Sequence, residues 1–144
     1  MVLGPDGLGP LKLRMPLDEA LATGMLHHEQ VREASRECSE SRKYRTYWMR
    51  GQKEGLVWLT PELGVVGIWA YGDIATPEGI RLGSSREMVE RAYPDAFDLV
   101  GEINYGRSSA KVPGNGDRAT YRFSTRFDEV SALSIEVTGQ RCIY

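Results

Sequence analysis

Between Lys53 and Arg81 the chain carries no lysine or arginine, while Glu54, Glu62, Asp73 and Glu78 place four carboxylates there. The same stretch holds Trp58, Trp69 and Tyr71, and Trp48 lies just ahead of it. Aromatic faces attract cations through the ring quadrupole, and carboxylates supply the opposite charge. Together they suit a cationic, amphipathic ligand such as a basic peptide. On a strand over residues 65–71, Val65, Gly67, Trp69 and Tyr71 share one side, and Val66, Ile68 and Ala70 the other. The aliphatic set reads as core, which leaves the Trp69 and Tyr71 side for a binding surface, with Asp73 just beyond. Packing of Gly67 and Trp69 against the other half of the chain is the alternative. Trp69, Tyr71 and Asp73 are the leading candidates, with Trp48, Trp58, Glu62 and Glu78 behind them.

Other constellations offer little chemistry. His27-His28-Glu29 invites a metal reading, but adjacent histidines on a helix point about 100° apart and cannot chelate one ion as an i, i+4 pair does. No G-x-S-x-G elbow occurs, and the serines at 84–85 and 108–109 fall in capping and loop contexts. Gly114-Asn115-Gly116 reads as a hairpin turn, since no strand-loop-helix with a lysine follows it. Arg42-Lys43-Tyr44-Arg45-Thr46-Tyr47-Trp48 interleaves basic and aromatic residues as single-strand nucleic-acid binders do. A half-buried strand explains that pattern, and a net charge of −2 argues against general affinity for polyanions. A non-catalytic protein with no cofactor, no metal and no nucleic-acid partner is therefore expected. Cys38 and Cys142 lack metal-site spacing. They read either as two buried thiols or as one disulfide tying the C-terminal segment to the first half. Closing a loop of about a hundred residues would contribute on the order of 4 kcal/mol and mark an oxidising compartment.

The elements that must position these residues occur in two copies. Gly9-Pro10-Leu11-Lys12-Leu13-Arg14 is echoed by Glu78-Gly79-Ile80-Arg81-Leu82-Gly83, an offset of 69 that also maps Asp18 to Glu87 and Ala20 to Val89. The closing hairpins repeat at 65, with Leu56-Val57-Trp58 on Tyr121-Arg122-Phe123 and Val65 on Val130. Short helices are expected over 16–24 and 84–93, the second opened by a Ser84/Glu87 capping box. A further helix is expected over 29–38, with Val31, Ala34, Ser35 and Cys38 inward and the charged residues on its solvated side. Strands are expected over 44–49, 56–60, 65–71, 97–103, 120–127 and 130–137, with 112–117 a turn-rich connector. The expected fold is α+β, in which two degenerate short-helix-plus-antiparallel-sheet repeats pack as a two-layer domain. One domain spans 1–144, with repeat 1 over about 9–71, repeat 2 over about 78–144 and a seam at 72–78.

With 41% hydrophobic residues the chain can bury a core, and no apolar run approaches the roughly 20 residues that span a bilayer. The first seven residues have neither a basic nor an apolar leader character, so no signal peptide is expected in them.

Several segments resemble a family of small secreted proteins and lipoproteins of actinobacteria: Asp6-Gly7-Leu8-Gly9-Pro10-Leu11-Lys12-Leu13, Leu63-Gly64-Val65-Val66-Gly67-Ile68, Thr76-Pro77-Glu78-Gly79-Ile80-Arg81-Leu82-Gly83-Ser84, Val112-Pro113-Gly114-Asn115 and Gly139-Gln140-Arg141-Cys142. The resemblance implies an extracytoplasmic location, with any membrane attachment made through a lipid anchor. The duplicated layout is similar to that of β-lactamase inhibitory proteins, which bind a protein on an aromatic-rich concave sheet, although the intra-repeat cysteine pairs of that family are absent. In its acidic, aromatic stretch the chain also resembles lipoproteins that protect lantibiotic producers from their own peptide. These resemblances imply capture of a cationic peptide such as a lantibiotic, or else inhibition of, or docking on, a secreted enzyme through the sheet surface.

Overall fold

A computed structural model describes residues 1–49, 55–101 and 105–143. A two-residue hairpin comes first, β1 (Gly7–Leu8) and β2 (Leu11–Lys12), followed by helix α1 (Leu17–Ala22). Strands β3 (His27–Glu33), β4 (Lys43–Trp48), β5 (Leu56–Thr60) and β6 (Gly64–Trp69) then run as a meander. After helix α2 (Arg86–Ala92) a second meander follows, β7 (Phe97–Gly101), β8 (Tyr105–Lys111), β9 (Ala119–Arg126) and β10 (Glu129–Val137). The two meanders join edge to edge through antiparallel β6 and β10, giving one eight-stranded sheet in the order β3-β4-β5-β6-β10-β9-β8-β7.

This corrects the expected fold class. The chain is mostly β, with 43% of residues in strands against 10% in helices. A balanced α+β, two-layer domain is not what forms. The expected helix over 29–38 is absent, and β3 occupies its start. Every residue of β3 is exposed, including Val31 at 53%. A helix gains its stability mainly from burying an apolar stripe. This segment has no core to face, so backbone pairing with β4 decides its conformation, and its charges blunt an open sheet edge. Strand β8 was not anticipated, because Gly106-Arg107-Ser108-Ser109 carries no strand composition of its own.

One face of the sheet carries the main core. Val57, Leu59, Val65, Ile68, Tyr121, Phe123, Leu133, Ile135 and Val137 point into it. Leu3, Leu8, Leu11, Ala20, Ile74, Ile80 and Val89 close it from the loops and both helices. The helices are six and seven residues long and pack through Ala20 and Val89, the pair related by the offset of 69. The hydroxyl that caps α2 belongs to Ser85, which accepts from Met88 N–H at 3.1 Å. Ser84, expected in that role, instead accepts from Arg81 N–H.

The two halves share hydrogen bonds as well as shape. Arg14 N–H donates to Val65 O and Val65 N–H to Met15 O, at 2.8 and 3.0 Å. Gly83 N–H donates to Val130 O and Val130 N–H to Ser84 O, both at 2.8 Å. Each half carries a bulge in the hairpin next to the seam, at Val66 in β6 and at Ser131 in β10, and a further register shift in its edge pair, between His27 and Gln30 in β3 and between Asp98 and Val100 in β7. One expected equivalence does not hold. Val57 and Leu59 face the core as Tyr121 and Phe123 do, so Trp58 and Phe123 lie on opposite faces. The β5–β6 turn is one residue longer than the β9–β10 turn, and that single residue inverts the side-chain alternation.

Candidate functional site

The face of the sheet opposite the core is only partly covered. Cross-strand pairing sets Thr46, Trp58, Gly67, Glu136 and Thr120 in one row across five strands. The neighbouring row holds Trp69, Ser134, Arg122 and Ser109. The bulge at Val66 keeps Val65 in the core while Gly67 and Trp69 stay on this back face. Tyr44 and Trp58 stack at 4.7 Å between centroids and 5° between planes, and Trp58 meets Trp69 at 5.8 Å. Trp48 contacts the His28 ring at 5.0 Å. Tyr44, Trp48, Trp58 and Trp69 are all half-buried. This is a ledge of rings with one flank open.

Beside the rings lies a buried carboxylate. Glu136 is 1% exposed, its Oε2 accepts from Ser134 Oγ at 2.8 Å, and its Oε1 accepts from Gln140 Nε2 at 2.9 Å. Arg122 stands 3.3 Å from the same Oε1. A charge this deeply buried needs both a counter-ion and hydrogen bonds, and it has them. Gln140 belongs to the segment after β10, residues 138–143, which crosses the back face as a strap. Its carboxamide oxygen accepts from the backbone N–H groups of Cys142 and Ile143, at 2.7 and 3.0 Å. Ile143 fills the space that the missing side chain of Gly67 leaves open, and a Cβ on Gly67 would stand 2.8 Å from Ile143 Cδ1. Cys38, Val66 and Ile143 are buried but lie outside the main core.

The disulfide alternative is the one realised. Cys38 and Cys142 are bonded, with their Cα atoms 4.5 Å apart and a sequence separation of 104. The loop bearing Cys38 is held to the sheet by Glu62, which accepts from Ser39 Oγ at 2.9 Å and from Ser41 N–H at 3.1 Å. Desolvation opposes the charge on Glu62, but these hydrogen bonds outweigh it and hold the carboxyl below its usual 4.5.

The structure disperses the rest of the expected site. Trp58 and Trp69 share the ledge, with Trp48 toward the β4 end. Tyr71, placed on the Trp69 side by simple alternation, packs instead against the main core. Asp73 is exposed and lines a separate cleft of about 330 Å³ with Arg81, Ser84 and Met88. Glu62 serves the disulfide loop. Glu78 accepts the Tyr93 hydroxyl at 2.6 Å, and burial together with this bond pushes the Tyr93 pKa far up. The carboxylate in the same row as Trp58 is Glu136, and Tyr44 completes the stack; neither stands out in the sequence. A signal was present in Ser134-Ile135-Glu136-Val137, where one acidic residue stands in an apolar strand.

No family model matches the chain, and no curated protein matches it. Among solved structures, the crystal structure of the uncharacterized protein yfeY from Escherichia coli is similar over nearly the whole length. It covers 94% of this chain and 97% of that one, with a TM-score of 0.57 and 15% identity. What the two share at that identity is the fold. Among the described residues no group of three metal-ligating side chains is assembled, and no helix is long and apolar enough to cross a membrane.

Proposed function

We propose that this chain is a non-catalytic binding protein of an oxidising, extracytoplasmic compartment. Its ligand is an amphipathic peptide segment laid along the ring ledge, with a cationic peptide such as a lantibiotic the preferred class. The observation that carries the reading is the half-buried ring cluster Tyr44–Trp58–Trp69 on a sheet face whose opposite side already holds the core. Rigid aromatic rings give large contact area at small entropic cost and attract cations through their faces. The Cys38–Cys142 bond supports the oxidising setting. Asp73, Glu62 and Glu78 have other neighbours, and Glu136 is buried with its own counter-ion, so attraction of the ligand's cations falls to the ring faces.

Docking of a folded partner, such as a secreted enzyme, is a second reading. It is favoured by the breadth of the back face, whose two rows span strands from β4 to β8.

Tryptophan fluorescence and amide chemical shifts, followed while a cationic lantibiotic and a neutral peptide are titrated in, test both readings. The expected result is a saturable, salt-sensitive change with the cationic peptide, weakened about 30-fold or more in Trp58→Ala or Trp69→Ala, as hot-spot aromatics behave. A flat response across the panel would overturn peptide capture and leave the folded partner. A response unchanged in both tryptophan variants would overturn the ledge as the site.

A further inference from the structure

The strap packs on the back face through Gln140 and Ile143. Residues 138–143 read Thr-Gly-Gln-Arg-Cys-Ile, a short cationic amphipathic peptide in its own right. Gln140 and Ile143 are buried while Thr138, Gly139 and Arg141 are exposed. An N–H donor side chain thus sits on Glu136, a basic side chain points to solvent, and a branched aliphatic side chain sits over Gly67. Among the described residues the strand pairing of β10 ends at Val137, and Thr138 N–H then donates to Arg118 O at 3.1 Å. Beyond the backbone bonds of Thr138 and of Gln140 N–H to Val137 O, it is held by the Gln140 side-chain cluster, a Thr138–Thr120 hydroxyl contact at 2.9 Å and the bond to Cys38.

We propose that the strap is a built-in pseudo-ligand covering a cryptic site, and that the Cys38–Cys142 disulfide latches it. This rests on the reading of the back face as the binding face and specifies its ligand. The site takes an extended peptide that places an amide or guanidinium N–H on Glu136 and, three residues later, a branched aliphatic side chain in the Gly67 slot. A dithiol oxidoreductase unlatches it: the two thiols of the reductant become its disulfide, and Cys38 and Cys142 each take up one proton and one electron. The freed strap then uncovers Glu136 and Gly67 beside Trp58 and Trp69, and an incoming peptide replaces it in kind.

The test uses the full chain and an N-acetylated, C-amidated peptide, Thr-Gly-Gln-Arg-Ser-Ile, followed by amide shifts and tryptophan fluorescence. Oxidised protein should not respond. Protein reduced with dithiothreitol, and the Cys38→Ser/Cys142→Ser variant, should bind saturably. Peptides with Leu for the glutamine or Gly for the isoleucine should bind about tenfold more weakly or worse. Equal binding to oxidised and reduced protein would overturn the latch, as would no binding to reduced protein that keeps its native shift dispersion. Equal affinity for the leucine peptide would overturn recognition by Glu136.

Should reduction unfold the chain, Ile143→Gly keeps the disulfide and opens only the slot. Isovaleramide, a branched aliphatic carboxamide, should then restore the wild-type tryptophan signal saturably, and failure to do so overturns the slot. Lantibiotic binding to the oxidised protein through Trp58 and Trp69, with no strap-peptide binding to either form, would sink the pseudo-ligand alone. Silence in both titrations would sink it together with peptide capture.

Discussion

Two glutamates illustrate how differently one residue type is used. Glu62 is exposed and grips a loop through Ser39 and Ser41, whereas Glu136 is sealed beneath the strap beside Arg122. Both were visible as carboxylates in the sequence; which one stood beside the rings depended on strand pairing. Tyr47 gives a pH prediction. Burial and then its hydrogen bond to Glu29 push the phenol up to about 12. An unfolded tyrosine ionises near pH ~10, so above that value the folded state keeps a proton that the unfolded state releases. The stability contribution is therefore complete below about pH 10 and is lost as pH rises toward about 12. Urea midpoints measured across that range should fall in the wild type and fall less in Tyr47→Phe. Gly64 gives a steric prediction. It has φ +71°, and a Cβ there would overlap the carbonyl oxygens of Arg14 and Met15. Gly64→Ala should cost more than about 1 kcal/mol, read as a lowered urea midpoint at unchanged slope.

Among the elements, the short helices and most strands were legible because their signals are local. Pro16 before α1, a serine before α2 and alternating apolar residues along β9 each act within a few residues. Ser85→Ala should remove the α2 cap at a cost of about 1 kcal/mol, whereas Ser84→Ala should leave the helix capped. Amide exchange within α2 distinguishes them, since Ser84→Ala loses only the bond to Arg81 N–H. Segment 29–38 was misread because its helical periodicity was real but had no apolar surface to meet. Register was illegible where a bulge intervened. Val66 shifts the alternation in β6, and with it the sides on which Val65, Gly67 and Trp69 fall.

For the whole molecule, the decisive connection is the one between the halves, where β6 meets β10 and the strap returns across the face to Cys38. Reduction of the disulfide frees a loop of 104 residues. In the chain-entropy model it should lower stability by about 4–5 kcal/mol, visible as a large fall in the urea midpoint with and without dithiothreitol. The likeness between the first element and its copy at offset 69 was readable from residue types alone, because both copies make the same turn and bury the same positions. The pool of candidates was readable too: Trp48, Trp58 and Trp69 did reach the back face, and the cysteine pair was in view. Composition and local periodicity determined that much, since each acts over a few neighbouring residues. The tertiary structure decided that the protein is mostly β, that Tyr71, Asp73 and Glu78 stand away from the ledge, and that Glu136 stands beside it. Those outcomes depend on pairing between residues as distant as Gly67 and Glu136, and on a one-residue bulge that reverses a strand's faces.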